Sequence, residues 1–417
     1  MGIKKLLFLF YLLYTVYNVL VCGTTNLTLF YTLPAIVLIW LFYTFFIVGF
    51  NSTKYTKLNR DTAKNEDILF GIVIYNCNTQ KLILFALLSL FISVLCAQYY
   101  TGLFPTQVFQ NLISGKSNYI NYQLYFSQAN IGSISLNKIP YILLMGFKNI
   151  IFVYSFIFII CKAKKVEIRQ IIYLLLLAIA HLYFGIARGT NFEFYQLFLL
   201  LIYCYVLRQQ NQQKKINILW IIFFGLILLA IFFVVLSARG ATPNYYITDY
   251  ILYEPNEFFS KLFPNLSIYY MFLYTYLGFG IYYLATLINK IWLTSIKGFI
   301  GAIIPPLNVM FGIHPIEETN DLVNIGVKWI PDAASIMNVI GIFGLLFCCY
   351  LIGKFLKKSS YLQMKNNGYS LLFGYFIFVF LVSIPNGHFI TFSSEQILIA
   401  YTVLRYIFYQ KHIKIKI

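Results

Sequence analysis

Apolar runs of 16 to 23 residues recur along almost the whole chain, parted by short polar or basic stretches. They fall at 6–22, 29–50, 81–98, 140–161, 168–186, 192–207, 216–237, 266–288, 297–313, 334–354, 370–385 and 390–408. Each reaches or approaches the roughly 20 residues that a bilayer crossing needs. The pattern predicts about twelve transmembrane helices. Pro305-Pro306 interrupts the run at 297–313, which reads as a crossing or as a broken, re-entrant helix, and 266–288 is the other weak run. Dropping both leaves ten and keeps the parity. The expectation is an all-α polytopic membrane protein with 10–12 spans, one membrane domain over residues 1–417. Ile68 to Tyr75 is too short to cross and is expected at the interface. Leu6 to Val21 follows Lys4-Lys5 in the manner of a signal peptide. No small-residue cleavage site follows and the next run begins at once, so it reads as a retained helix.

Composition agrees: 60% of the 417 residues are hydrophobic, 11% are charged, and the mean hydropathy is +0.76. A soluble domain is nearer half apolar and a quarter charged. Charge then orients the chain. With the N-terminus inside, the cytoplasmic segments hold 24 of the 31 Lys and Arg but 4 of the 13 Asp and Glu. This is the positive-inside bias, and it places both termini in the cytoplasm. It also accounts for the net charge of +18 without nucleic acid as a partner. Three external loops are extended: about 99–139, 238–265 and 314–333. The seven cysteines lie in or beside apolar runs with no CxxC pair, as small apolar filler does.

Two of the six arginines face outward, each inside an Ala-Arg-Gly word at the end of an apolar run: Arg188 and Arg239. One reading is interfacial snorkelling. The other is an anion site, because the planar guanidinium fork suits phosphate oxygens and its charge is permanent. A glycine after each arginine lets a backbone or ligand come close. Glu193, five residues after Arg188, is a salt-bridge partner or a catalytic carboxylate. His314 with Glu317, Glu318 and Asp321 reads as a solvated acidic loop or as a base-bearing site. His388 and Glu395, seven apart, read as a structural pair ahead of a proton relay. His181, inside a span, reads as a core histidine, and Lys148 is the other charged mid-span position. No HExxH, DxD-like, Walker or GxSxG pattern occurs, so neither a metal nor a cofactor is expected.

Three stretches resemble the Wzy-type polymerases of bacterial O-antigen and capsule. They are "FGIARGTNFEFYQLFLLLIYCYVLR", the aromatic helix "SIYYMFLYTYLGFGIYYL" after the Arg239 loop, and "WIPDAASIMNVIGIFGLLFCCYLIGKFL". The last holds Asn338, Gly341 and Gly344 in an N-x-x-G-x-x-G pattern. The Arg-x10-Gly spacing of some members is absent, since Leu199 and Tyr250 stand eleven residues after Arg188 and Arg239. The resemblance implies a glycosyltransferase at the outer face of the bacterial plasma membrane. It would join oligosaccharide repeat units carried on undecaprenyl diphosphate, with membrane lipids and a chain-length regulator protein as partners. Arg188 and Arg239 would hold the diphosphate. The base would be Glu193, His314, Glu317 or Asp321. An O-antigen ligase and a flippase for lipid-linked sugars are the alternatives.

Overall fold

The computed structural model describes residues 3–52, 79–129, 136–162, 166–212, 214–238, 246–248, 251–288, 331–363, 368–383, 385, 387 and 395–404. The helices are α1 (Ile3–Cys22), α2 (Leu29–Ser52), α3 (Thr79–Thr101), α4 (Pro105–Ile113), α5 (Asn118–Gln128), α6 (Ile139–Lys162), α7 (Ile168–Arg188) and α8 (Phe192–Asn211). They continue with α9 (Ile218–Ala238), α10 (Phe258–Leu262), α11 (Pro264–Leu277), α12 (Phe279–Ile288), α13 (Asp332–Gln363), α14 (Gly368–Ser383) and α15 (Glu395–Leu404).

Among the described residues six segments are long and apolar enough to cross a membrane. They are Lys4–Cys22, Leu29–Ser52, Leu82–Thr101, Ile139–Ile160, Ile168–Arg188 and Ile340–Lys357. The outer faces of these helices are apolar too. On α7, Tyr173, Leu174, Leu177, Ala180, His181 and Phe184 are buried while Ile171, Ile172, Leu175 and Ile179 lie exposed. A soluble helix would be polar on that second stripe. The chain is a helical, membrane-embedded protein.

Two crossings organise the bundle: α2 packs most extensively on α13, and α7 on α3. The first is a glycine contact. A Cβ on Gly49 would stand 1.9 Å from the Tyr350 carbonyl oxygen, and one on Gly353 would stand 2.1 Å from that of Phe46. Bare backbone on both helices gives close van der Waals packing, which matters where no hydrophobic effect drives helices together. Between the two crossings lies α6, which touches α3, α7, α8 and α14. Lys4 and Lys357 both sit over the Phe50 ring, at 4.4 and 4.8 Å, so the start of α1, the end of α2 and the basic stretch of α13 share one end.

Three local findings depart from the sequence expectation. Within the expected external loop at 99–139, residues 105–113 and 118–128 are helical, as α4 and α5. Inside 238–265 is a two-stranded antiparallel ribbon of β1 (Tyr246–Thr248) and β2 (Ile251–Leu252). It is held by the α1–α2 turn, where Asn26 N–H donates to the Leu252 carbonyl at 3.1 Å and the Glu254 N–H donates to that of Thr24 at 3.0 Å. Those free backbone groups favour extended chain beside them. The run at 266–288 is two helices, α11 and α12, parted at Gly278. The stretches 68–75 and 297–313 lie outside the described residues.

α13 is itself interrupted. Gly341 has φ 71° and ψ 175°, which divides it into a short first helix and a longer second one. That region of backbone space belongs essentially to glycine.

Candidate functional site

α7 ends because Gly189 turns left-handed, with φ 62° and ψ 34°. Thr190 N–H then reaches back to the Gly185 carbonyl at 2.9 Å, a Schellman-type closure. The tight turn brings the first residues of α8 back over the last turn of α7. Glu193 thereby meets Arg188: Nη2 donates to Oε1, and Thr190 Oγ1 donates to Oε2 at 3.0 Å. Both partners are buried, Arg188 at 7% exposure. Snorkelling therefore does not describe Arg188, whose guanidinium is held inside the protein.

The rest of its surroundings are aromatic. The guanidinium carbon lies 4.3 Å from the Phe184 ring centre and 5.9 Å from that of Tyr122. Tyr100 meets Phe184 edge to face at 5.9 Å. Tyr122 comes from α5, which is pinned to the end of α7. The Asn118 amide donates to the Ile186 carbonyl at 3.2 Å and accepts from the Asn111 amide at 2.8 Å. Gly189 makes this docking possible, since a Cβ there would stand 2.8 Å from the Tyr119 nitrogen. Burial holds the Tyr122 phenol above its ordinary pKa, and the nearby Arg188 charge opposes the shift. The Arg188 Nε–H has no hydrogen-bond partner among the described residues. A buried donor in that condition suits an added acceptor oxygen.

Behind this pair is a polar cluster that sequence reasoning did not assemble. Lys148 Nζ lies 3.3 Å from His181 Nδ1, and the imidazole stacks on Phe152 at 4.1 Å. Glu395 Oε1 accepts from the Asn149 amide at 2.6 Å and the Gln196 amide at 2.7 Å. His181 is thus a core residue with a charged neighbour, and Glu395 is bonded to α6 and α8. The signal was present in the spacing. His181 and Arg188 are two turns apart on α7, Glu193 and Gln196 about one turn apart on α8, and Lys148 and Asn149 adjacent on α6. Helical spacing puts each of the first two pairs near one face, whereas Lys148 and Asn149 reach different partners.

Arg188 and Glu193 are thus brought together. Arg239, His314, Glu317, Glu318, Asp321 and His388 lie outside the described residues. Asp332 opens α13 and is buried, its N–H donating to the Gly387 carbonyl at 2.8 Å. No protein-family model matches the chain, and neither a curated protein nor a solved structure matches it.

Proposed function

We propose that this protein polymerises oligosaccharide repeat units carried on a polyprenyl diphosphate, at the outer face of a bacterial plasma membrane. The observation that carries the proposal is Arg188: a permanent cation buried at a helix end, with an unpartnered Nε–H and a carboxylate beside it. In the reaction, an acceptor hydroxyl attacks the anomeric carbon while lipid diphosphate departs. Arg188, with Arg239, stabilises the charge that grows on the diphosphate. Glu193 accepts the hydroxyl proton, a role for which His314, Glu317 and Asp321 are the other candidates. Protonation of Glu193 weakens its hold on Arg188 just as the leaving group needs the cation. The half-buried rings of Tyr119, Tyr122 and Phe126 on α5, with Tyr122 beside the arginine, suit the apolar faces of sugar rings.

The orientation is part of the proposal: 10–12 spans, both termini cytoplasmic. It is supported by the gathering of Lys4 and Lys357 at one end and by the pairing of the α1–α2 turn with the stretch holding Glu254 and Glu257. The test is deletion of the gene followed by separation of the surface glycan on a gel. A single repeat unit on its carrier is the expected product. Unchanged long chains would overturn the reading. Loss of even the single-unit product would favour a flippase or a ligase.

A further inference from the structure

Four charged side chains, a histidine and two amides meet inside the bundle, and the transfer proposed above uses two of them. Lys148 is 1% exposed and Glu395 is fully buried. Gly146 lets α15 approach α6, since a Cβ there would stand 2.5 Å from Ile397 Cγ2. Asn149, one turn on, then reaches Glu395 from α6 as Gln196 reaches it from α8. Both amides use Oε1, and Oε2 has no partner among the described residues. Lys148 meanwhile turns to His181. The imidazole Nε2 has no hydrogen-bond partner among the described residues. Polar groups therefore gather from the Arg188–Glu193 pair to Glu395, with Gln196, one turn along α8 from Glu193, bonded to Glu395.

Charges inside an apolar bundle are costly unless they are paired or used, and in membrane proteins such chains commonly move protons. Mere pairing would set Lys148 directly against Glu395. Instead each is hydrogen-bonded to neutral groups while one carboxylate oxygen stays open. The groups acting on Glu395 are Lys148 and Asn149 from α6, Glu193 and Gln196 from α8 and Tyr375 from α14. Arg188 and His181 on α7, with Cys96 on α3, adjoin Lys148 from its other side.

We propose that Glu395 is a buried proton-binding site that receives the proton released at Glu193, an inference resting on the polymerase reading. The acceptor O–H bond breaks as its oxygen bonds the anomeric carbon, and the anomeric C–O bond breaks with its electron pair going to the diphosphate. The proton goes to the Glu193 carboxylate and then to the Glu395 carboxylate, with Lys148, on which both carboxylates act, the exchangeable group between them. Glu193 is restored as the anionic partner of Arg188, and Glu395 becomes a neutral acid. Nothing is oxidised or reduced.

The experiment is infrared difference spectroscopy of the full chain in lipid vesicles during a pH titration, with glycan chain length measured in cells carrying the same variants. A protonated-carboxyl band should titrate in the wild type and be missing in Glu395→Gln. Its midpoint should fall by about one pH unit in Glu193→Gln, because a neighbouring negative charge that favours the protonated form has gone. Polymerisation by Glu395→Gln should slow by about tenfold or more. If that variant fails to accumulate, Lys148→Met with Glu395→Gln, compared with Lys148→Met alone, removes the Lys148 and Glu395 charges together and makes the same test of Glu395. A missing Glu395 band, a midpoint indifferent to Glu193→Gln, or full-rate polymerisation by Glu395→Gln each overturns the proposal. A coupled band in a protein whose deletion leaves glycan length unchanged overturns instead the polymerase reading and, with it, the source of the proton.

Discussion

Glu193 folds its carboxylate into space that exists because residue 185 has no side chain. A Cβ on Gly185 would stand 2.7 Å from Glu193 Oε2 and 3.1 Å from Glu193 Cβ. Gly185→Ala should therefore push the carboxylate off Arg188 without removing either charge. The loss of a charge-assisted hydrogen bond costs about 1.5–3 kcal/mol. Thermal unfolding of the purified protein should show that loss, and glycan chains should shorten. Wild-type stability together with wild-type chain length would mean that the pair tolerates the added methyl group.

Removal of Arg188 itself carries a folding cost. Arg188→Ala leaves a buried carboxylate unpaired, and breaking such a pair costs about 3–5 kcal/mol. Membrane abundance should drop in the single variant and recover in Arg188→Gln with Glu193→Gln, which removes both charges. Long-chain glycan should not recover with it. Arg188→Lys keeps the charge, loses the fork, and should be partly active at best. Restored long chains in the double variant would return both residues to a structural role.

The α2–α13 crossing should be intolerant of even one methyl group. Gly49→Ala and Gly353→Ala each drive a Cβ into backbone, at 1.9 and 2.1 Å. Overpacking of this kind costs about 1–3 kcal/mol, and rigid backbone puts these sites at the upper end. Gly225 on α9 is the control, since its Cβ would meet nothing nearer than 3.9 Å, from Phe198 Cζ. Gly225→Ala should be neutral or slightly stabilising in the same unfolding assay. Equal midpoints for all three variants would show that the crossing opens easily.

Gly341→Ala should strain or straighten α13, because its φ of 71° with ψ of 175° excludes a side chain. The expected cost is about 1–3 kcal/mol. Protease accessibility around the break, compared with wild type, is the measurement. An unaltered pattern at unaltered stability would mean that the helix is continuous there.

Orientation is testable with single cysteines. Asn256→Cys, on the exposed stretch before α10, should react with an impermeant thiol reagent in outer-membrane-permeabilised cells. Gln212→Cys, exposed just after α8, should react only after lysis. The five described native cysteines are all free, so each labelling is read against the parent protein. The opposite pattern would invert the topology and move Arg188 to the cytoplasmic face.

The positions of the helices were legible in the sequence because a bilayer demands long apolar runs and marks their ends with charge. α1, α2, α3, α6 and α7 lie within a few residues of the runs that announce them. The close approach at the end of α7 was legible as well, since the glycine after Arg188 lets a backbone come near and the Tyr119 nitrogen does so. The folding of 99–139 into two helices was not, as short polar and aromatic helices carry no span-length signal and take their stability from docking through Asn118. The cluster of Lys148, His181, Gln196 and Glu395 was least legible. Its members stand up to 247 residues apart. Helix spacing tells which residues share a face, and only tertiary packing decides which faces meet. Here that decision belongs to small residues: Gly146 admits α15, Gly185 admits Glu193 and Gly189 admits α5. What a glycine lets in is a property of the neighbour that arrives, and no local pattern along the chain encodes it.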